Sequence, residues 1–346
     1  MNRHRILSCA IALAALVALP AFAADSGATS YKLAAAFKLG GDGGWDFATL
    51  SADGGRLYVT RTTHTMVLNV ATGKLVADIG GQQGSHGVAL VPEAHRGFIS
   101  DGKDGSVQIF DLKSDAVIGK VPAAAGADAV IYDRASNRVL VFCSGANQMV
   151  ALAPDVDPAN GKAAATLDLG GSPEFAAADG NGKVFVNIVD KDEVAVVDTR
   201  AMKVVARWPT GPGKRPTAIS MDRDTRRLFI GCRNNILIVM NADDGKVVAD
   251  FPIGAFVDAT AFRDGLIFAS CGAGTLTIIR ELSGDKFEPA QVLKTELGAR
   301  TMAVDAVGGM IYMPTSDLML PPASASGPHP RPVPVPGTFR VLVVTQ

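Results

Sequence analysis

Hydrophobic positions along the chain fall into short runs of four to six residues, broken by clusters of Gly, Asp and Asn, and this pattern returns at a nearly fixed interval. Leu228–Cys232, Ile236–Met240 and Val247–Phe251 are runs of this kind, preceded by the weaker run Ala218–Met221. Between them stand Asp-Arg-Asp-Thr, Arg-Asn-Asn and Asn-Ala-Asp-Asp-Gly, which are turn signals. β-Branched and aromatic residues bounded in this way predict strands and hairpins, and no stretch after residue 24 keeps a helical period. The unit of four strands begins at Asp46, His86, Asp128, Glu174, Thr217, Asp258 and Arg300, with spacings of 40 to 46 residues.

Four strands per repeat of this length predict an all-β fold, a seven-bladed β-propeller in which each unit is one radial blade. Three residues after each start stand Thr49, Ala89, Ile131, Ala177, Ser220, Ala261 and Ala303; six of these are small, which suits innermost strands crowded around an axis. The seventh unit supplies only Met302–Val304, Met310–Met313 and Phe339–Val344. The segment Tyr31–Leu39 resembles the fourth strand of other units. It is expected to complete the last blade, closing residues 24–346 into one domain without an open edge.

Arg56-Leu-Tyr-Val-Thr60, Asn69-Val-Ala-Thr-Gly-Lys74 and Asn241-Ala-Asp-Asp-Gly-Lys246 resemble the strand and turn of YVTN-type propeller repeats, and the chain is similar to the periplasmic YncE-like family. The resemblance implies a seven-bladed propeller and says little about chemistry, because propellers host enzymes, binding modules and scaffolds.

The first 23 residues have another character. Arg3 and Arg5 precede an apolar stretch from Ile6 to Leu19, and Pro20 and Ala21-Phe22-Ala23 follow. This is the pattern of a cleaved signal peptide, so the expected location is periplasmic or secreted, with no membrane span. Two segments interrupt the period: Pro154–Gly161, and the Pro-rich Pro314–Gly337, whose composition favours extended conformations over a regular hairpin.

With 48% hydrophobic residues the chain is neither disordered nor a disulfide scaffold, and 33 basic against 34 acidic residues provide no bulk field for nucleic acid. No haem-attachment motif, nucleophile elbow, zinc-protease motif or nucleotide loop is present. Cys143, Cys232 and Cys271 follow the signal segment; Cys232 and Cys271 lie in adjacent units, leaving either a disulfide or separate buried thiols. Charged turns such as Asp101-Gly-Lys-Asp104 read as solvated hairpin ends, and Trp45 and Trp208 as anchors of a blade rim.

Candidate chemistry concentrates at the first residue of each unit. Asp46, His86, Asp128, Glu174, Thr217, Asp258 and Arg300 are all polar, and rotation about a propeller axis would gather them into a ring at one channel mouth. Asp46, Asp128, Glu174 and Asp258 are candidate ligands for Ca²⁺ or Mg²⁺, since these ions take oxygen donors. Loop residues Arg61, His64, Lys103, Asn147, Lys191 and Arg233 belong to the same face. Two functions compete: a non-catalytic binding or scaffold propeller that takes a small ligand or protein at this mouth, and a metal-assisted, lactonase-like hydrolase in which His86 or Glu174 moves a proton. A wet mouth whose polar groups are satisfied by water and backbone is the plainest account of the ring.

Overall fold

A computed structural model describes residues 30–283, 285–320 and 332–346; the predicted signal segment and the centre of the Pro-rich segment lie outside the described residues. The fold is all-β, built of antiparallel four-stranded sheets in an arrangement consistent with a propeller-like architecture, with no α-helix among the described residues. In the fifth unit the strands are Pro216–Asp222, Arg227–Cys232, Ile236–Asn241 and Val247–Pro252, paired in sequence order. The third, fourth and sixth units repeat this plan.

Burial explains why the sequence pattern differs between strands of one sheet. Second strands such as Arg138–Cys143 are buried at five successive positions, because both of their faces meet neighbouring sheets. Their sequence is therefore continuously apolar. Fourth strands such as Lys203–Pro209 alternate exposed and half-buried positions, and their sequence alternates accordingly.

The first two units depart from the expected separation. One long strand, Lys74–Val91, is the outer strand of the first unit and the inner strand of the second, joining both into a seven-stranded sheet. Gly80, Gly81 and Gly84 read as a break, but the Gln82 amide keeps the crossing ordered by donating to the carbonyls of Ile79 and Gly80 and to Gln108 Oε1.

The strand Lys32–Lys38 pairs antiparallel with Arg340–Thr345, from Lys32 opposite Thr345 to Lys38 opposite Arg340. The sheet runs Lys32–Lys38, Arg340–Thr345, Ile311–Thr315, Ala303–Val304. Innermost strands lie beside one another in chain order from Ala48–Leu50 through Lys74–Val91, Ala127–Asp133, Pro173–Ala178, Pro216–Asp222 and Val257–Arg263 to Ala303–Val304, which also lies beside Ala48–Leu50.

The repeat turns explain their own residues. Asn69 Oδ1 accepts from the Thr72 N–H, and the Gly73 N–H donates to the Asn69 carbonyl at 2.8 Å. Gly73 has φ +67°, and a Cβ there would strike the Phe37 ring; Gly245, with φ +75°, holds the same place beneath Trp208. Trp208 thus anchors a rim, as expected, and stacks on Phe185 at 5.9 Å.

One sequence expectation is corrected here and two are refined. Asp101 is not a solvated turn residue: it is fully buried and accepts from the Gln83 and Gly84 N–H groups at 2.8 Å, with Lys120 Nζ 3.5 Å away. The interruption at Pro154–Gly161 is more than a lengthened turn, since the Pro158 carbonyl accepts from the Lys120 N–H and Val156 joins the core. Within the Pro-rich segment, Leu318–Met319 pairs with Val333–Pro334 in a short ladder. Cys143, Cys232 and Cys271 are separate, buried free thiols; burial pushes their pKa values up to about 11, 12 and 12.

Candidate functional site

The recurrent polar residue stands where the ladder slips. The register between first and second strands shifts across His86 (Ser85 to Val88), Asp128 (opposite Val141 to Cys143), Glu174 (Pro173 to Ala176), Thr217 (Pro216 to Ala218) and Asp258 (Val257 to Ala259). A β-bulge leaves its extra residue out of the ladder and re-aims the side chain. In the first and seventh units Asp46 and Arg300 precede the paired strand instead.

Hydroxyls of neighbouring units hold the backbone at these positions. Thr60 Oγ1 donates to the His86 carbonyl at 2.6 Å, Ser100 donates to the Asp128 carbonyl, and Thr301 Oγ1 donates to the Asp46 carbonyl at 2.5 Å. Thr60 and Ser100 each stand 14 residues after a unit start, a recurrence visible in the sequence that the search for charged groups passes over.

The side chains form two linked clusters. His86 Nδ1 lies 2.6 Å from Asp46 Oδ2 and 3.6 Å from Asp128 Oδ1, and ligand atoms of these three residues fall within 4.8 Å of one another. Arg300 Nε donates to Asp258 Oδ2 at 2.8 Å, and an Arg233 nitrogen reaches Asp258 Oδ1 at 3.0 Å. Arg300 bridges the clusters: one terminal nitrogen lies 3.7 Å from Asp46 Oδ1 and donates to the Trp45 carbonyl at 2.7 Å. Asp258 is therefore neutralised by two guanidiniums, while Asp46 shares a histidine and an arginine.

Asp128 and Glu174 lack such partners. Among the described residues, no Lys or Arg lies within ion-pair distance of either carboxylate, and the Glu174 carboxylate accepts no hydrogen bond. Burial, then Asp128 and Asp258, push the Glu174 pKa up to about 8 against the pull of Arg233. Burial and Asp46 push Asp128 to about 7 against His86. Burial also raises Asp258, opposed by Arg300. For His86 burial disfavours the imidazolium, but the Asp46 hydrogen bond and the charges of Asp128, Asp46 and Glu174 outweigh it and raise the pKa to about 9. The mouth holds protons that the same groups in water would release.

Thr217 lies on the ring position but is buried, and its hydroxyl donates to the Val257 carbonyl at 2.9 Å. Of the loop candidates, Arg233 reaches the ring. Arg61 does not: it is fully buried, donates to the carbonyls of Gly44, Asp42, Gly43 and Gly40, and stacks 3.6 Å over the Phe339 ring. Burial lowers its pKa to about 10. His64 contacts Thr63 Oγ1 at 3.1 Å, Asn147 occupies a left-handed turn, and Lys103 and Lys191 are exposed.

Beneath the ring lies a feature the search for polar residues missed. Phe47 and Phe175, each the residue after a ring carboxylate, stack with centroids 4.5 Å apart and planes inclined by 26°. The other units place Gly87, Ala129, Ala218, Ala259 and Thr301 at this position, which leaves room for two rings. Across the ladder from the Glu174–Phe175 bulge, Asn187 is fully buried and neither of its amide heteroatoms has a hydrogen-bond partner.

Neither a protein-family model nor a curated protein matches the chain.

Proposed function

We propose that the chain is an exported, circularly closed seven-bladed β-propeller of the YncE-like kind, and that it binds a small, positively charged ligand at the polar mouth of its channel. The closure is supported by the pairing of Lys32–Lys38 with Arg340–Thr345 and by the neighbour relations of the seven innermost strands. Export rests on the charged and apolar pattern of the first 23 residues.

One observation carries the binding reading. Asp258 meets two guanidiniums and Asp46 meets His86 and Arg300, whereas among the described residues Asp128 has only the shared His86, 3.6 Å away, and Glu174 has no cationic group in ion-pair contact. An organic ammonium group would serve as countercharge to Asp128 and Glu174 by displacing the protons that burial keeps on them, and the Phe47–Phe175 pair offers aromatic surface for its apolar part. No nucleophile and base are needed for this function. The test is calorimetric titration with putrescine and choline. Saturable binding that Asp128→Asn and Glu174→Gln both weaken supports the reading, and unchanged binding in the double variant refutes it.

A second reading, metal-assisted hydrolysis, is favoured by the convergence of Asp46, His86 and Asp128 donor atoms. At neutral pH the imidazole carries a proton toward Asp46, so an ion binding there must expel it, and its affinity must rise with pH toward 9. Titration with Ca²⁺, Mg²⁺ and Zn²⁺ at pH 6.5 and 8.5, followed by a lactone-hydrolysis assay of the loaded protein, decides between the two.

A further inference from the structure

The ends of the innermost strands remote from the polar ring border two adjoining cavities, of about 480 and 380 Å³, which share Ile131 and Tyr132 as a common wall. The smaller lies against Phe47 and Phe175 and is otherwise walled by Leu50, Val88 and Leu90, so its lining is mainly apolar. The larger continues past Ala177 and Met221 to Arg223. Each volume is in the range of small-molecule sites, roughly 300–1,000 Å³. Because strand positions advance by about 3.3 Å per residue, these cavities lie on the far side of the aromatic pair from the ring carboxylates.

The charges at this end have uneven commitments. Asp222 spends both carboxylate oxygens on its own turn, accepting from the Asp224 N–H at 2.9 Å and from Thr225 Oγ1 at 2.6 Å. Arg134 pairs with Glu93 at 3.0 Å. Arg223 is fixed by its Nε, which donates to the Ala178 carbonyl at 3.0 Å, yet no carboxylate lies within 4 Å of its guanidinium among the described residues. Its terminal nitrogens are thus free to meet an anion at the rim of the larger, more polar cavity, which adjoins the apolar one at Ile131 and Tyr132. Arg223 and Asp224 are both exposed on this rim, so water screens the opposition of the carboxylate, while the fixed guanidinium acts through a direct hydrogen bond.

We propose that this end of the channel is a second binding site, separate from the polar mouth, for an organic anion with an apolar body: a hydrophobic carboxylate or sulfonate. The body lies in the cavity beneath Phe47 and Phe175 and extends past Ile131 and Tyr132 into the larger one, where the anionic group takes a charge-assisted hydrogen bond from Arg223. Nothing in this assignment depends on what the ring binds.

The test uses the full chain and two fluorescent probes of similar apolar bulk, anionic 1-anilinonaphthalene-8-sulfonate and neutral N-phenyl-1-naphthylamine. The sulfonate is expected to bind saturably with one-to-one stoichiometry. Arg223→Gln should weaken it about tenfold, the scale of one lost charge-assisted bond, while leaving the neutral probe unchanged. Asp224→Asn should bind the sulfonate equally or more tightly, and Asp128→Asn in the ring should alter neither probe. Non-saturable binding overturns the proposal, as does indifference of the sulfonate to Arg223→Gln. Weakening by Asp128→Asn would place the probe at the other mouth and equally defeat it.

Discussion

The two ends of the innermost strands are both rich in aspartate, and they use it in opposite ways. At the end where strands turn outward, Asp53, Asp133, Asp179, Asp222 and Asp305 recur in five units, and each accepts hydrogen bonds from the backbone or hydroxyls of its own turn. Asp53 shows the electrostatic result: the Ser51 hydroxyl and the Gly55 N–H hold its pKa below the ordinary carboxylate value. At the ring, the bulges carry Asp128 and Glu174 away from such donors, and burial raises their pKa values. A recurrent carboxylate is therefore a turn device where backbone N–H groups face it, and a candidate binding group where they do not.

The largest effect expected is on the frame that keeps the two ends apart. A chain starting at Gly41 loses the strand paired with Arg340–Thr345 and exposes that edge, so its melting should be lower and less cooperative than that of the full chain. An unchanged calorimetric transition would show that neither end depends on this pairing.

Next in size is the loss of a turn carboxylate. Asp133 accepts from the Ser136 N–H and hydroxyl and from Thr199 Oγ1 while almost wholly buried. Asp133→Ala should cost about 2–3 kcal/mol, since removing an acceptor strands buried donors. Urea denaturation measures this, and a loss below roughly 0.5 kcal/mol, the usual scale of a surface substitution, would erase the contrast.

The pH dependence separates the ends without mutation. His86 is raised from 6.5 to about 9, so its share of stability is complete below pH 6.5 and disappears as pH rises through 9. Glu174 and Asp128, raised to about 8 and 7, also hold protons in the folded state that the unfolded chain releases, so their contributions fall over the same direction of pH. Melting temperature should therefore decline from pH 6 to pH 9. Asp53, lowered by its turn, contributes in the opposite sense, its stabilisation being lost only under acid conditions where protonation removes its bonds. A profile flat between pH 6 and 9 would mean that the ring does not retain its protons.

The smallest effect sharpens the same point. Glu174→Gln removes a charge that burial and neighbouring carboxylates disfavour, so it should raise the melting temperature by a few degrees at pH 9 and hardly at all at pH 4, where the unfolded chain keeps the proton too. Equal shifts at both pH values would assign the change to packing instead of charge.

Much of this contrast was legible in the sequence. The repeat interval located the strands, the resemblance of Tyr31–Leu39 to a fourth strand anticipated its partner, and the shared polarity of unit starts pointed to one end of the innermost strands. What the residues could not disclose depends on neighbours distant in the chain. Arg61 looks like any loop cation until the carbonyls of residues 40–44 and the Phe339 ring enclose it. The stack of Phe47 on Phe175 unites the first and fourth units, and no local pattern in either strand announces it. Asp258 and Glu174 occupy equivalent repeat positions, yet the first meets two guanidiniums and the second none, because Arg233 of the fifth unit and Arg300 of the seventh flank the sixth, where Asp258 stands.

The pairing of Lys32–Lys38 with Arg340–Thr345 also sets a clock. Ribosomes deliver Lys32 some three hundred residues before Thr345, so the partner of the first described strand arrives only after the strands between them have been made. Pairings this distant in sequence carry a large entropic search and slow a β-protein's folding. Until then the early strand has no lasting partner, and a chain released prematurely keeps an unpaired edge open to aggregation or proteolysis. One ladder of hydrogen bonds thus doubles as a record that every strand between its partners has been delivered.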